Sequence, residues 1–462
     1  MTSNRTLSRR SFLAAAALAA PRLGAAPAPP RPPNFVVLFA DDMGYGDLAC
    51  YGHPTLRTPR LDRMAAEGVR FTSFYAAAPF CTPSRAGLLT GRYPIRAGQA
   101  NNLGPDSKGG LPLGEITLAQ ALKQRGYRTM CIGKWHLGHD PAAYLPTSRG
   151  FDHYLGLLYS NDMIPPWVQT NRPLHLFRDS EPVELMTDQS DLTERYTNEA
   201  VRFIRSAGND PFFLYLPYAM PHLPISASSR RGTSRAGLYG DVIETLDWSA
   251  GEILDTLKRQ GLDEHTLVVF TSDNGPWLNL PPRMLQKGVE PWHAGSKGLL
   301  RGSKGDTYEG GMRVPCIARW PGAIPAGQTS FEIGCTLDLF PTILEAAGVP
   351  VPTGLDGRSV FASDRRQEIY LQSALHPETG GERPLPGRAV VTADWKYSVW
   401  ADGRWREHLV HLAHDPGEMV NLAVCDQYRD RLHELRHRLE ACRRSEERRV
   451  GKECRSRWSP YH

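Results

Sequence analysis

Apolar runs alternate with helix-like segments along most of this chain. The run Asn34–Ala40 is apolar at nearly every position, which is typical of a strand buried on both faces. Further strands are predicted over residues 69–75, 127–132, 212–216, 267–271 and 314–319, and helices over 58–68, 83–90, 116–125, 192–207, 240–260 and 337–347. This alternation predicts an α/β fold with a large mixed, mostly parallel sheet flanked by helices.

Charged and polar residues follow several of these strands directly. They are Asp41, Asp42, Lys134, His222, Asp273 and Asn274. Because ligands of such sheets bind beyond the carboxyl ends of the strands, we expect these side chains to share one site. The pairs Asp41-Asp42 and Asp273-Asn274 offer the carboxylate and amide oxygens that a hard cation prefers. The alternative, loop and cap residues without a metal, is the better interpretation for one pair alone but not for two.

Both ends of the chain differ from the body. Residues 1–26 combine Arg9-Arg10, an apolar stretch and small residues, as a twin-arginine export signal does, and Pro-rich 27–33 reads as a linker. The alternative is a cytosolic protein with a chance Arg-Arg. Residues 444–462 have no apolar period and resemble a translated sequencing adapter, so we hypothesise that the genuine frame ends near Arg443. A natural basic tail is the alternative.

Between these ends we expect two domains. Residues 34–375 are predicted to form the main domain, which contains the predicted site, and 376–443 are predicted to form a small antiparallel sheet with one helix over 428–443. The formal charge of +5 comes from the two ends, and without residues 1–26 and 444–462 the body is slightly acidic, which gives no argument for nucleic acid binding. No internal apolar run is long enough for a stable membrane anchor. The 8 cysteines lack C-x-x-C pairs, so a zinc cage is not supported, and disulfides cannot be paired from the sequence.

Cys81 stands in the run Cys81-Thr82-Pro83-Ser84-Arg85, followed by Ala-Gly-Leu-Leu-Thr-Gly-Arg. Pro83 fits the first turn of a helix and Gly91 fits its end, so Cys81 is predicted at a helix N-terminus, which favours anions. The alternative is a buried, inert cysteine.

The extended run resembles the signature of type I sulfatases, in which the cysteine is oxidised to formylglycine. Other segments resemble the family, especially its arylsulfatases, from Asn34 to about Leu422. They are Asp41-Asp42-Met43-Gly44, Gly133-Lys134-Trp135-His136-Leu137-Gly138, Gly156-Leu157-Leu158-Tyr159-Ser160, Pro221-His222, Asp273-Asn274-Gly275, Leu300-Arg301-Gly302-Ser303-Lys304, Glu309-Gly310-Gly311-Met312-Arg313 and Asp415-Pro416-Gly417-Glu418. The resemblance implies an alkaline-phosphatase-like α/β fold, a formylglycine-generating enzyme for maturation and one Ca²⁺.

The same resemblance implies the roles of the site residues. The cation is held by Asp41, Asp42, Cys81 (as formylglycine), Asp273 and Asn274. A hydroxyl of the hydrated aldehyde attacks sulfur, His222 donates a proton to the leaving oxygen with Lys304 nearby, and His136 deprotonates the second hydroxyl. Arg85, one helical turn from residue 81, holds the hydrate and the metal-bound oxygens with its fixed charge. Lys134, Lys304 and Ser160 bind sulfate oxygens.

The sequence thus predicts an exported sulfatase acting on a sulfate monoester, with a carbohydrate sulfate as the natural class and aryl sulfates as surrogates. The loop over 276–299, with Trp277 and Trp292, is expected to shape substrate choice. Two alternatives stay open, a phosphonate monoester or phosphodiester hydrolase of the same superfamily and a non-catalytic protein that binds sulfated glycans.

Overall fold

The computed structural model describes residues 32–373, 387–400 and 406–457, with only the backbone of 445–457 described. The predicted export signal and the last residues of the tail lie outside this range. The central feature is a ten-stranded sheet. Its strands are β1 (Asn34–Ala40), β2 (Val69–Phe71), β3 (Arg128–Lys134), β4 (His153–Leu157), β5 (His175–Arg178), β6 (Glu181–Leu185), β7 (Phe212–Pro217), β8 (Thr266–Ser272), β9 (Cys316–Arg319) and β10 (Gln328–Ser330).

The middle of this sheet is parallel, as predicted. In space the strands run β10-β2-β9-β8-β1-β7-β3-β4-β5-β6. The strands β8, β1, β7, β3 and β4 are parallel to one another, with Val37 of β1 opposite Tyr215 of β7 and Val269 of β8. Antiparallel strands lie on both sides of this block. All seven residues of β1 are buried, which explains its continuous apolar sequence.

Two groups of helices pack with the sheet. One group contains α1 (Pro59–Ala66), α4 (Leu192–Ser206) and α5 (Gly237–Arg259), in which α5 contacts the other two. The other contains α2 (Cys81–Thr90), α3 (Leu118–Lys123) and α7 (Leu339–Ala346), and the short helix α6 (Glu309–Met312) precedes β9. Each predicted helix is present, although α3 is shorter than predicted. Thr117 caps α3 through a capping box with Gln120, which fixes its start two residues late.

A small four-stranded antiparallel sheet follows, which confirms the predicted fold class. Its strands are β11 (Glu368–Gln372), β12 (Gly387–Thr392), β13 (Trp395–Trp400) and β14 (Glu407–His411). One face packs on apolar residues of the main body, among them Tyr75 and Met312. The other face is covered by α8 (Arg429–Arg457), which buries Leu432, Leu435 and Leu439. This helix ends at Arg457, beyond Arg443, where the genuine reading frame is predicted to end.

Strands β4, β5 and β6 were not predicted, and the predicted strand over 69–75 is divided by a bend between Phe71 and Phe74. The sequence of β6 is exposed throughout, so it carries no apolar signal. Among the described residues, none of the helices combines the length and apolarity needed to cross a lipid bilayer.

Candidate active site

The predicted site residues meet at the carboxyl edge of the parallel block. Asp41 and Asp42 follow β1, and Asp273 and Asn274 follow β8. Lys134 is the last residue of β3, His222 lies shortly after β7, and Ser160 shortly after β4. All of these side chains are buried. The five adjacent strands thus bring to one place residues that are up to 233 positions apart, as the sequence predicted.

Cys81 is the first residue of α2, with Phe80 extended before it and Gly91 in the left-handed conformation after the helix. The sulfur atom donates to Asp41 Oδ1 at 3.4 Å and accepts from Lys304 Nζ at 3.4 Å. Burial and the neighbouring Asp41 carboxylate raise the pKa of the Cys81 thiol well above its usual value. A cysteine in this state is a poor thiolate nucleophile.

Asp41 is surrounded by cations. Lys134 Nζ donates to Asp41 Oδ2 at 2.6 Å, and Arg85 Nη2 lies 3.3 Å from the same oxygen. Burial opposes ionisation of Asp41, but Lys134 and Arg85 hold its pKa well below the usual range. Arg85 also donates to Asp273 Oδ2 at 2.9 Å and to the Lys134 carbonyl at 2.9 Å. Arg85 therefore fixes the two carboxylate-bearing loops relative to β3.

Asp42 joins the second acidic pair to the site. Lys304 Nζ lies 2.7 Å from Asp42 Oδ1, and Asn274 Nδ2 donates to the same oxygen at 2.7 Å. The backbone N–H of Asp42, which has a φ of 65°, donates to Asp273 Oδ1 at 3.0 Å. Burial and the Asp41 carboxylate raise the pKa of Asp273. Three carboxylates and the cations Arg85, Lys134 and Lys304 thus form one buried network.

The donor set fits a hard cation in part. Ligand atoms of Asp41, Asp42, Cys81 and His222 lie within 4.8 Å of one another. Asn274 Oδ1 is buried and accepts no hydrogen bond from the described residues, which leaves an amide oxygen available as a ligand. Both oxygens of Asp273 are engaged by Asp42 and Arg85 in this arrangement. Each of these oxygens accepts one hydrogen bond and keeps a lone pair with which it could also bind a cation.

The two histidines have defined tautomers. His222 Nδ1 lies 2.6 Å from the Leu223 carbonyl, which can only accept, so Nδ1 carries the proton and Nε2 lies 3.6 Å from Asp42 Oδ2. Burial and Lys304 lower the pKa of His222 to about 3. His136 Nε2 similarly faces the Leu103 carbonyl at 2.7 Å, and its Nδ1 is buried and without a hydrogen-bond partner among the described residues. Burial and Lys134 hold the pKa of His136 well below its usual value, so both imidazoles are neutral at pH 7.

Ser160 is brought to the cationic part of the site, where its Oγ accepts from Lys134 Nζ at 3.0 Å. Lys134 therefore bridges Asp41 and Ser160. The Lys134 ammonium group and the Ser160 hydroxyl therefore lie side by side, an arrangement that suits the oxygen atoms of an oxyanion.

Asp47 lies three residues after the motif Asp41-Asp42-Met43-Gly44, and no sequence pattern indicated a role for it. Asp47 accepts from the backbone N–H groups of Gly44 and Ser296, each at 2.6 Å, and from Tyr239 Oη at 2.7 Å. It thereby fastens the loop over 276–299 to the loop that carries Asp41 and Asp42. Trp277 of the same loop lies against His222, with 5.7 Å between ring centroids, whereas the Trp292 side chain is 72% exposed. Both tryptophans were equal candidates at the level of the sequence, because burial is not readable in an irregular loop.

Comparisons with known proteins agree with this geometry. The sulfatase family model matches residues 33–349, and a model of the C-terminal part of N-sulphoglucosamine sulphohydrolase matches 303–445. The chain is 39% identical to N-acetylgalactosamine-6-sulfatase of Rattus norvegicus over 91% of this chain and 82% of the relative. It is 43% identical to arylsulfatase A of Homo sapiens over 85% of this chain and 83% of the relative.

Solved structures extend the likeness to the fold. The crystal structure of Ps i-CgsB in complex with k-i-k-neocarrahexaose superposes with a TM-score of 0.76 and 28% identity, over 89% of this chain and 92% of the other. The fold, the site and these relatives lead to one conclusion. This chain belongs to the sulfatase family, whose members are sulfuric ester hydrolases.

Proposed function

We propose that this protein is an exported sulfatase that uses a formylglycine made from Cys81, together with Ca²⁺, to hydrolyse a carbohydrate sulfate and release inorganic sulfate. Aryl sulfates would serve as surrogate substrates. The relatives named N-acetylgalactosamine-6-sulfatase and arylsulfatase A support a sulfate ester substrate. The twin-arginine sequence supports export, and a formylglycine-generating enzyme and the twin-arginine machinery are the partners that this proposal requires.

The observation that carries the proposal is the state of Cys81. Its thiol is buried, and Asp41 opposes its ionisation, so the unmodified residue is a weak nucleophile. It nevertheless lies at a helix N-terminus and contacts both Asp41 and Lys304, so polar groups surround whatever reactive group is formed at this position. Oxidation to an aldehyde would supply, in its hydrated form, the hydroxyl nucleophile that the thiol cannot.

A cation would be held by Asp41, Asp42, Asp273, Asn274 and the modified residue 81. When bound, it would polarise the sulfate oxygens and favour the ionised nucleophile. The site without it contains three carboxylates and three cationic side chains. Binding a divalent cation together with an anionic ester would therefore change the net charge by only one unit.

The remaining residues would act on the ester and its protons. Lys134, Lys304 and Ser160 would donate to sulfate oxygens, and Arg85 would hold Asp41 and Asp273 in place. His136 is neutral, with its Nδ1 lone pair free of the described partners, which suits a base that takes a proton from residue 81. His222 would protonate the leaving oxygen, with Lys304 beside it. The charge of the bound ester favours the imidazolium that this role requires.

The mass of the tryptic peptide Phe71–Arg85 tests the proposal, using protein produced with a formylglycine-generating partner. We expect the mass of formylglycine at residue 81. An unmodified cysteine, with the same partner active on a control protein, would contradict the proposal and favour the non-catalytic glycan-binding alternative.

Relative rates on matched esters test the reaction class. We expect faster turnover of an aryl sulfate than of the corresponding phosphonate monoester or phosphodiester. Preferred turnover of a phosphorus ester would replace the sulfatase proposal by the hydrolase alternative of the same superfamily.

A further inference from the structure

The loop over 276–299, here called the entrance loop, forms a fixed wall beside the sulfate pocket. It starts just after Asn274 and ends shortly before Lys304, so residues of the site flank it on both sides. Its first residue, Pro276, accepts from the Lys304 backbone N–H at 2.9 Å. Near its other end, Ser296 donates to Asp47 and accepts from the Gly46 N–H at 2.8 Å. Side chains of the entrance loop are therefore held in a defined position relative to the site.

Trp277 contacts two cationic side chains, Lys304 of the sulfate pocket and Arg283 of the entrance loop. Lys304 Nζ lies 4.9 Å from the Trp277 ring centroid, and the guanidinium carbon of Arg283 lies 5.8 Å from the same centroid. The two cations therefore cannot be further apart than the sum of these distances. This upper limit is compatible with two anionic groups on the same or on adjacent sugar residues.

The position of Arg283 is set by the wall on the other side of the pocket, residues 160–167. Arg283 Nη1 donates to the Trp167 carbonyl at 2.8 Å and lies 3.8 Å from Asp162 Oδ2. Its hydrogen bonds to oxygen atoms of the described residues use Nη1 only, and the side chain is 40% exposed. The guanidinium carries five N–H donors in a fixed fork, so donors are left for a ligand.

Lys287 adds a second cation at this entrance. Its Nζ lies 5.7 Å from the Trp167 ring centroid, and the residue is exposed. The nearby acidic group, Asp162, is buried and 3.8 Å from Arg283, a separation at which an ion pair at a partly exposed arginine is weak. The entrance is therefore cationic outside the sulfate pocket itself.

We infer that Arg283 and Lys287 form a second anion-binding position, and that the substrate is a glycan that carries another acidic group, a second sulfate or a uronate, near the sulfate that is removed. The inference rests on the proposed function, because the first anion is the sulfate ester in the pocket. The Trp277 ring is in contact with both cations, so it holds the two positions at a defined separation. Arg283 suits a sulfate or carboxylate group because its fork matches the geometry of either.

Competition experiments test this position without knowledge of the natural substrate. Turnover of an aryl sulfate is inhibited by two disaccharides that differ only in a second sulfate group. Wild-type enzyme is expected to bind the disulfated form more tightly, and Arg283→Gln with Lys287→Gln to reduce this preference about tenfold, the size of one charge-assisted hydrogen bond. Arg283→Lys, which keeps the charge, should retain part of the preference, and added salt should weaken it in wild type.

Arg429→Gln provides the matched control, because it removes an arginine whose side chain is 65% exposed on α8. It should leave the preference unchanged. Equal inhibition by the two disaccharides in wild type, or an unchanged preference in the double variant, would overturn the second anion position while leaving the sulfatase proposal intact. Failure of the modified wild-type enzyme to hydrolyse any sulfate ester would overturn both.

Discussion

At the scale of single residues, Cys81 is the position whose replacement should affect chemistry without affecting the fold. Cys81→Ala removes the atom that can be oxidised to an aldehyde, so aryl sulfate turnover should fall to background. The lost sulfur makes two long contacts at 3.4 Å, so the free energy of unfolding should fall by only about 1 kcal/mol. Turnover and thermal unfolding measured on the same preparation check both parts.

Cys316→Ala is the control for this variant, because Cys316 is equally buried but lies in β9. It should lose similar stability and keep its turnover. Retained turnover in Cys81→Ala would remove Cys81 from the mechanism.

We predict that His408 makes the folded protein less stable in mild acid. Burial, with Arg301 and Lys396 nearby, lowers the pKa of His408 to about 4, against about 6.5 in an unfolded chain. The unfolded state therefore binds more protons below pH 6.5, and the stability present above that pH is lost as the pH falls towards 4. The loss due to His408 is up to about 3 kcal/mol. Denaturant unfolding of wild type and His408→Gln at pH 7, 5.5 and 4.5 should show a smaller pH dependence in the variant.

The exposed His433 gives a control for this prediction. His433→Gln should unfold with the same pH dependence as wild type. An unchanged pH dependence in His408→Gln would mean that other groups cause the acid sensitivity.

At the scale of elements, the sequence predicted the central strands well because each is buried on both faces. β1 and β8 lie between other strands and below helices, so nearly every position is apolar. Strand β4 and the antiparallel strands β5 and β6 that follow it were missed because the outer strand is exposed and the antiparallel pairs are short. Neither could the sequence show that both oxygens of Asp273 are occupied, since this depends on the arrangement of two loops that follow separate strands.

We predict that the entrance loop is held in place by Asp47, which attaches it to the loop after β1. Asp47→Asn replaces one of two accepting oxygens by a donor, so at least one of the N–H and O–H groups of Gly44, Ser296 and Tyr239 loses its acceptor. Stability should fall by about 1–3 kcal/mol, the cost of an unsatisfied buried donor. Native-state trypsin cleavage at Arg283 and Lys287 should become faster, because the entrance loop opens more often.

Asp106→Asn is the matched control, as the Asp106 side chain is 65% exposed and pairs with Arg172 on the surface. It should change neither stability nor cleavage. Unchanged cleavage of the entrance loop in Asp47→Asn would show that the loop is held by other contacts.

At the scale of the whole molecule, the small sheet is joined to the catalytic body by a buried ionic cluster that no sequence pattern predicted. Lys396 of β13 lies 3.0 Å from Glu309 of α6 and 3.0 Å from Glu418, with all three side chains 0% exposed. Tyr75 Oη also donates to Glu309 at 2.9 Å. Glu309 lies five residues after Lys304, so the cluster also positions the segment that contacts Cys81. Glu309 and Glu418 belong to separate sequence motifs, and neither motif could indicate that the two residues share Lys396 as a partner.

Lys396→Met should therefore destabilise the protein strongly. It leaves the buried Glu418 without its cation and Glu309 with Arg313 alone, for which a loss of about 3–5 kcal/mol is expected. Aryl sulfate turnover should fall as well, because the segment from Lys304 to Glu309 loses its attachment. The double variant Lys396→Met/Glu418→Gln should lose less stability than the sum of the two single variants, since one of the unpaired charges is removed. Strictly additive losses in this cycle would mean that Lys396 and Glu418 act independently.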